Sequence, residues 1–364
     1  MAITQYYVDP SINANSGTGT IGDPFGDLQY ALDTVTRDSS NGDQFNIKSG
    51  TAEVLTGNLS FASYGTPSAT APIAFRGYTS AANDGGKGAI DGNATYGLFA
   101  SNLNYAKILD LEISNCGSAE AISLNEEGVI ANCKIDTSHW ARLGYHGFVF
   151  NNEFLNGTTS SCLQTNGRSH IVSNYFQCDQ SGNGNAVYCS NQGADFVAWN
   201  IFTCASTTTA GRCLNLATRN CIATNNSFFG NGSNASGVRI EATRGVSVVN
   251  NIFSGFSNTT GKAIDSNNAD LHMYLNNAFY DNTADFNGTA DEWGIVSDNE
   301  TLTADPFTKS GSNTYANRFT YFEPVDTGNI YGGAFPSGSR VDKGAVQHQD
   351  PTGGGGSIFH PLAQ

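Results

Sequence analysis

Five charged residues stand at fixed distances from a recurring Asn-x-Phe triplet. Arg219, Arg244 and Asp270 each lie seven residues before the triplet's Asn, and Arg239 and Asp265 each lie twelve before it. In a repeating chain, equal offsets place residues above one another. Arg219, Arg244 and Asp270 are therefore expected to stack on adjacent turns, with Arg239 facing Asp265. Two arginines about 5 Å apart repel, which implies an anion between them, unless Asp270 satisfies Arg244. Such a site suits an acidic sugar. Arg219, Arg239 and Arg244 are its candidate catalytic groups, and Asp265 and Asp270 its candidate substrate contacts. The competing assignment is an exposed charge ladder, which contributes little. Tyr188 and Trp199 join the candidate substrate contacts as rings that stack on sugar faces, with Trp140, Tyr145 and Tyr175 as further rings unless these are turn or core residues. No three carboxylates share a column, so calcium is not indicated and no cofactor is expected.

The triplet defines the architecture. It recurs as Asn152-Glu153-Phe154, Asn174-Tyr175-Phe176, Asn200-Ile201-Phe202, Asn226-Ser227-Phe228, Asn251-Ile252-Phe253 and Asn277-Ala278-Phe279, with spacings of 22, 26, 26, 25 and 26 residues. Degenerate copies end at Ile113 and Ile135. The stretches before each Asn alternate with period two, as in Val246-Ser247-Val248-Val249, which is strand patterning. A period near 25 is too short for the common helical repeats and fits a coil of three short strands and three turns. One such coil cannot bury its own apolar face. Stacking coils at about 4.8 Å covers that face and pairs the backbone. The expected fold is all-β, a right-handed parallel β-helix solenoid of about a dozen coils. The Phe column stacks as core. The Asn column tolerates left-handed turns and passes hydrogen bonds along the ladder.

Composition agrees. Glycine numbers 42 of 364 residues, and only 13% are charged. That favours short strands and polar turns over long helices. A net charge of −15 with no basic run argues against nucleic acid as a partner. No stretch of eighteen apolar residues offers a membrane span. Eight cysteines lie between Cys116 and Cys221 without a CxxC pair. Since no signal peptide is visible, they are expected to be reduced, packed thiols rather than zinc ligands or disulfides.

Solenoid ends need covering. Phe25, Leu28, Ala31, Leu32 and Val35 share one helical face, and Asp23 before Pro24 is the expected helix start. Residues 1–44 are thus read as an N-terminal segment with a capping helix, 45–348 as the solenoid and 349–364 as a Gly-rich tail. That tail ends in the apolar Ile358-Phe359-His360-Pro361-Leu362, either docked on a neighbour or unfolded.

Several segments carry a family resemblance. The tyrosine-rich opening, the helix and Ile73-Ala74-Phe75-Arg76-Gly77-Tyr78 resemble the first coils of pectate-lyase-like parallel β-helix proteins. Asp305-Pro306-Phe307, Glu323-Pro324-Val325-Asp326-Thr327-Gly328 and Asp342-Lys343-Gly344-Ala345-Val346-Gln347 resemble the family's closing motifs, with Lys343 and Gln347 departing from the usual residues. The resemblance covers nearly the whole chain. It implies the fold strongly and the function weakly. Enzymes of this type mostly cleave polysaccharides. The hydrolase pattern fails here: there is no adjacent aspartate pair, His146 lies in Gly144-Tyr145-His146-Gly147, and Arg239-Ile240-Glu241 carries Glu where Lys is expected. The lyase pattern, with Arg or Lys as base, fits slightly better.

Three roles compete. The leading expectation is a bacteriophage virion-surface structural protein, a tail spike or capsid decoration, made in the host cytoplasm. It would be a homotrimer, contact other virion proteins and bind host-surface polysaccharide. The alternatives are a secreted lyase acting on an acidic polysaccharide, and a bacterial adhesin.

Overall fold

The structure, a computed structural model, describes residues 3–98, 103–117, 120–137, 139–155, 161–178, 184–191, 193–205, 211–242, 245–266, 271–287, 295–307, 309, 311–314, 316–322 and 344. Within these residues the chain coils into three parallel sheets of twelve, eleven and eight strands. Each strand pairs with its counterpart one coil away, so the chain is a parallel β-helix. The first sheet already begins at Thr4–Val8, which pairs with Asp43–Lys48. The segment read as a cap therefore also supplies a strand. The third sheet starts only at Glu120–Leu124.

Helix α1 spans Leu28–Thr34 and buries Leu28, Ala31 and Leu32. Phe25 and Val35 are buried in the same core, so the expected face is intact. Its start differs from the expected Asp23. Asp27 is the N-cap, its carboxylate accepting the Tyr30 N–H at 2.6 Å. Asp23 instead accepts from the Thr18 hydroxyl at 2.8 Å within a turn. A carboxylate caps best when it can reach the N–H groups of the first helical turn, and only Asp27 does.

The core follows the repeat. Ile113 pairs with Ile135, which pairs with Phe154, and the column continues through Phe176, Phe202, Phe228, Phe253 and Phe279. The rings lie nearly parallel, with centroids 4.7 Å apart for Phe202–Phe228 and for Phe228–Phe253. Beside them runs the asparagine ladder. Asn200 N–H and Nδ2 both donate to Asn226 Oδ1, at 2.9 and 3.0 Å, and Asn226 does the same to Asn251. The left-handed conformation does not fall on the ladder asparagines. It falls on the residue before each: Asn151, Ser173, Trp199, Asn225, Asn250 and Asn276 all have φ between 53° and 60°. The turn thus falls one residue before the buried ladder, and the turning asparagines make a second, outer ladder: Asn151 Nδ2 donates to Asn132 Oδ1 at 2.8 Å and Asn276 Nδ2 to Asn250 Oδ1 at 3.0 Å.

The seven cysteines whose side chains are described are all buried and none is in a disulfide, as expected of packed thiols. One of them, Cys189, lies beside the buried Asp195. Asp195 Oδ1 accepts the Ser169 N–H at 2.9 Å. Burial pushes its carboxyl up to about 6, against the opposing hydrogen bonds from Ser169, Thr165 and Cys189. An unfolded carboxyl near 3.8 releases its proton first, so the stability this group contributes is full below about pH 4 and lost as pH rises through 6. Asp195→Asn keeps the acceptor for Ser169 and carries no charge. It is expected to stabilise the fold by about 2 kcal/mol at pH 7.5 and by little at pH 4. Urea midpoints at the two pH values check this, and an equal gain at both would contradict it.

Candidate functional site

The outer face of the third sheet carries the charged chemistry. Its strands are Glu120–Leu124, Trp140–Leu143, Leu163–Thr165, Asn185–Cys189, Arg212–Leu216, Ser236–Ile240, Lys262–Ser266 and Ala284–Asn287. The pairing register aligns Ser123, Arg142, Gln164, Tyr188, Asn215, Arg239, Asp265 and Asn287 in one row. Inward residues alternate with them, among them Leu163, Val187, Leu214, Val238 and Ile264, all fully buried. Period-two alternation is what aims the polar row outward. Eight strands at about 4.8 Å make the row roughly 34 Å long.

Ion pairs hold both ends. Arg142 pairs with Glu120 at 3.0 Å. At the other end Arg239 bonds Asp265 and lies 3.5 Å from Glu241, which also meets Arg212 at 3.5 Å. Lys262 Nζ reaches Asp265 at 3.2 Å and Asn287 Nδ2 donates to it at 2.7 Å. Burial works to raise the Asp265 carboxyl. The hydrogen bond from Asn287, the charge and hydrogen bond of Arg239 and the hydrogen bond from Lys262 outweigh it and hold the group below its ordinary value. A depression of about 330 Å³ opens beside this cluster, lined by Arg239, Lys262, Asp265, Thr259, Thr260 and Thr283 among others.

The middle of the row is neutral. Gln164, Tyr188 and Asn215 occupy three successive coils. Asn215 is 2% exposed, and its Nδ2 donates to Glu241 at 3.4 Å. Asn215 Oδ1 and Gln164 Oε1 are buried with no hydrogen-bond partner among the described residues. A buried acceptor left unsatisfied costs about 1–3 kcal/mol, and both oxygens are closed off from solvent in this structure.

The expected site residues separate. Arg239 and Asp265 face each other, and Tyr188 joins their row. Arg219 does not: it is exposed on the corner between third and first sheets, its carbonyl accepting from Ala194 N–H. Arg244 and Asp270 lie outside the described residues, as do the motifs at 323–328 and 342–347, apart from Gly344, and the tail 349–364. Trp199 is not beside Tyr188. It is one of the left-handed corner residues between first and second sheets, with its ring edge-on to Phe196. Tyr175 is fully buried under the C-terminal segment, its hydroxyl donating to Asn313 Oδ1 at 2.9 Å. Of the remaining rings, Trp140 stands on the third sheet and Tyr145 in the corner after it.

Arg142, Gln164, Arg212, Asn215, Glu241 and Lys262 were not singled out by offset counting. The corner between the third sheet and the Asn column varies in length, and fixed offsets fail across it. Tyr188 and Arg239 lie twelve residues before their asparagines, Asn215 eleven, and Gln164 and Arg142 ten. The signal that finds them is the alternation within each short strand.

Three stacked parallel sheets around one core define the class: a right-handed parallel β-helix. The same fold is seen in the crystal structure of pectate lyase Pel9A, which aligns with a TM-score of 0.56 at 12% identity over 96% of this chain and 98% of that one. Looser likenesses are a GH136 lacto-N-biosidase from Eubacterium ramulus (TM-score 0.46, 12% identity, 83% of this chain and 68% of that) and a mannuronic acid specific polysaccharide family 6 lyase from human gut microbiota (0.40, 11%, 83% and 84%). No family model and no curated protein sequence matches the chain.

Proposed function

We propose that this chain is a glycan-binding β-helix displayed on a bacteriophage virion, reading host-surface polysaccharide along its third sheet. The observation that carries the glycan reading is the outward row Gln164–Tyr188–Asn215–Arg239–Asp265, neutral in its middle and charged at one end. The Tyr188 ring offers a face or edge for a sugar ring, and the charged end suits a substituent able to accept from Arg239 or Lys262. The coil spacing resembles the length of one sugar ring, so successive residues of an extended glycan meet successive coils. Seven buried cysteines outside any disulfide fit synthesis in a reducing cytoplasm, where virion proteins are made, better than secretion.

Cleavage is the second reading, and the ion pairs weigh against it. An arginine base needs its guanidinium turned to the substrate, and that of Arg239 is engaged by Asp265 and Glu241. Incubation with acidic polysaccharides tests this directly. Unsaturated products that vanish in Arg239→Ala would replace binding by lyase chemistry.

For binding, Tyr188→Ala and Gln164→Ala, at the two half-buried neutral positions of the row, are each expected to weaken the association about tenfold, equivalent to about 1.4 kcal/mol. Arg219→Ala, on the corner outside the row, is expected to leave affinity unchanged. Calorimetric titration with bacterial surface polysaccharides makes the comparison. Equal affinities for all three variants would remove the third sheet from the binding reading.

A further inference from the structure

Gly344 sits on the corner between the first and second sheets, its N–H donating to Asn250 O at 3.0 Å. It is buried, its φ is 91°, and a Cβ there would come within 2.8 Å of Ile252 Cδ1 and Ser227 Oγ. Glycine alone meets both demands, a left-handed backbone and a flush fit. Asn250 directly follows Ser247–Val249, a strand of the first sheet. The residues after Gly344 therefore start at the rim of that sheet's outer face. Over its later coils this face carries no charge. From Val129–Ala131 to Ile295–Ser297 its strands contain no Asp, Glu, Lys or Arg. The register places Phe148, Phe196, Ile222, Met273 and Ile295 in one outward column. Phe148 is 49% exposed, Ile222 41%, Met273 37% and Ile295 57%.

An uncharged apolar column is best covered by something that brings few charges to desolvate. Three occupants compete. A second copy brings a net charge of −15 against its own sign. The stretch 323–343 brings Glu323, Asp326, Arg340, Asp342 and Lys343, and both its flanks lie by the second sheet, Phe322 against Phe229 and Gly344 against Ser227 and Ile252. The stretch 345–364 has one carboxylate, Asp350, and no Lys or Arg, and it carries Ile358, Phe359 and Leu362 beyond the glycines 353–356. Reach allows it. The chain from Gly344 to Ile358 extends up to about 46 Å, and the column from Phe148 to Ile295 is roughly 29 Å long. Ser247, which shares that column, is three residues from the anchoring Asn250. A Gly-rich tether of this length holds the apolar residues near the face at an effective concentration of about a millimolar.

We propose that residues 358–362 dock on the outward apolar column of the first sheet of their own chain, with Gly344 as the anchor and the glycines 353–356 as the tether. The inference rests on the anchor, the uncharged face and the composition of the tail, and not on the glycan reading. The test is disulfide trapping in the full chain at low micromolar concentration, with copper phenanthroline and dioxygen as oxidant. Phe359→Cys is combined in turn with Met273→Cys, on the column, and with Thr283→Cys, an exposed position between the second and third sheets. Mass spectrometry of the digested protein reads the cross-links. The Met273→Cys pair is expected to close within one chain about tenfold faster than the Thr283→Cys pair. Ile222→Cys, one column position from Ser247, is the second variant should Met273→Cys disturb the fold, and the same preference is expected of it. Equal rates at Met273 and Thr283 overturn the proposal, since the tail would then have no preferred face. So do cross-links formed mainly between two chains, which would make the occupant a neighbour's tail, and so does the absence of cross-links at both first-sheet positions.

Discussion

Replacing Asn226 with alanine is expected to cost about 3–5 kcal/mol and to produce the lowest thermal midpoint of any single ladder truncation. Asn226 is fully buried. Its Oδ1 accepts from both the N–H and the Nδ2 of Asn200, and its own Nδ2 donates to Val197 O at 2.9 Å and to Asn251 Oδ1 at 3.0 Å. Alanine leaves the Asn200 N–H without an acceptor in a place water does not reach, and strips a donor from the Val197 carbonyl. Each orphaned group costs about 1–3 kcal/mol. Asn226→Asp is the sharper test. It keeps the acceptor and loses the donor, so a carboxylate oxygen would face Val197 O and Asn251 Oδ1. A larger loss than alanine, relieved by acidification, is the expected signature. If both variants unfold with the wild type in urea, the ladder does not stabilise the solenoid.

Phe228→Ala is expected to cost a similar 3–5 kcal/mol, by a different route. Phe228 lies between Phe202 and Phe253 at 4.7 Å from each, with interplanar angles of 6° and 3°. Removing the ring loses its burial and leaves a cavity bounded by rigid rings that cannot collapse inward. Because each coil contacts only its neighbours, a weakened coil also weakens coupling between the two halves of the solenoid. Unfolding is therefore expected to broaden or to split into two steps, which calorimetry resolves. Phe228→Leu fills most of the volume and should retain a single transition. A single sharp transition in the alanine variant would mean that the coils do not couple through this column.

The fold was legible because the solenoid writes each contact into the sequence once per coil. The Asn-x-Phe triplet gave the spacing, and the structure stacks Phe154 through Phe279 at that spacing. Facing of Arg239 and Asp265 was legible for the same reason, since both coils have the same corner length. The helix face was legible from its apolar periodicity, but its first residue was not. Asp23 and Asp27 are equivalent by composition, and only the chain path decides which carboxylate meets the first turn.

The sequence by itself determined the period, the inward columns and the reduced state expected of the cysteines, because these depend on local alternation and burial repeated many times. Tertiary structure decided the rest. It placed the left-handed turn on the residue before each ladder asparagine, where Asn151, Asn250 and Asn276 both turn the chain and bond along the axis. It collected Gln164, Tyr188 and Asn215 into one row across corners of unequal length, which no fixed offset reveals. It also decided which apolar outer face is covered. The residues that cover the second sheet come from 302–322, far along the chain, while Phe148, Ile222, Met273 and Ile295 on the later strands of the first stay exposed. Alternation tells which side chains point outward; only the path of the whole chain tells what they meet there.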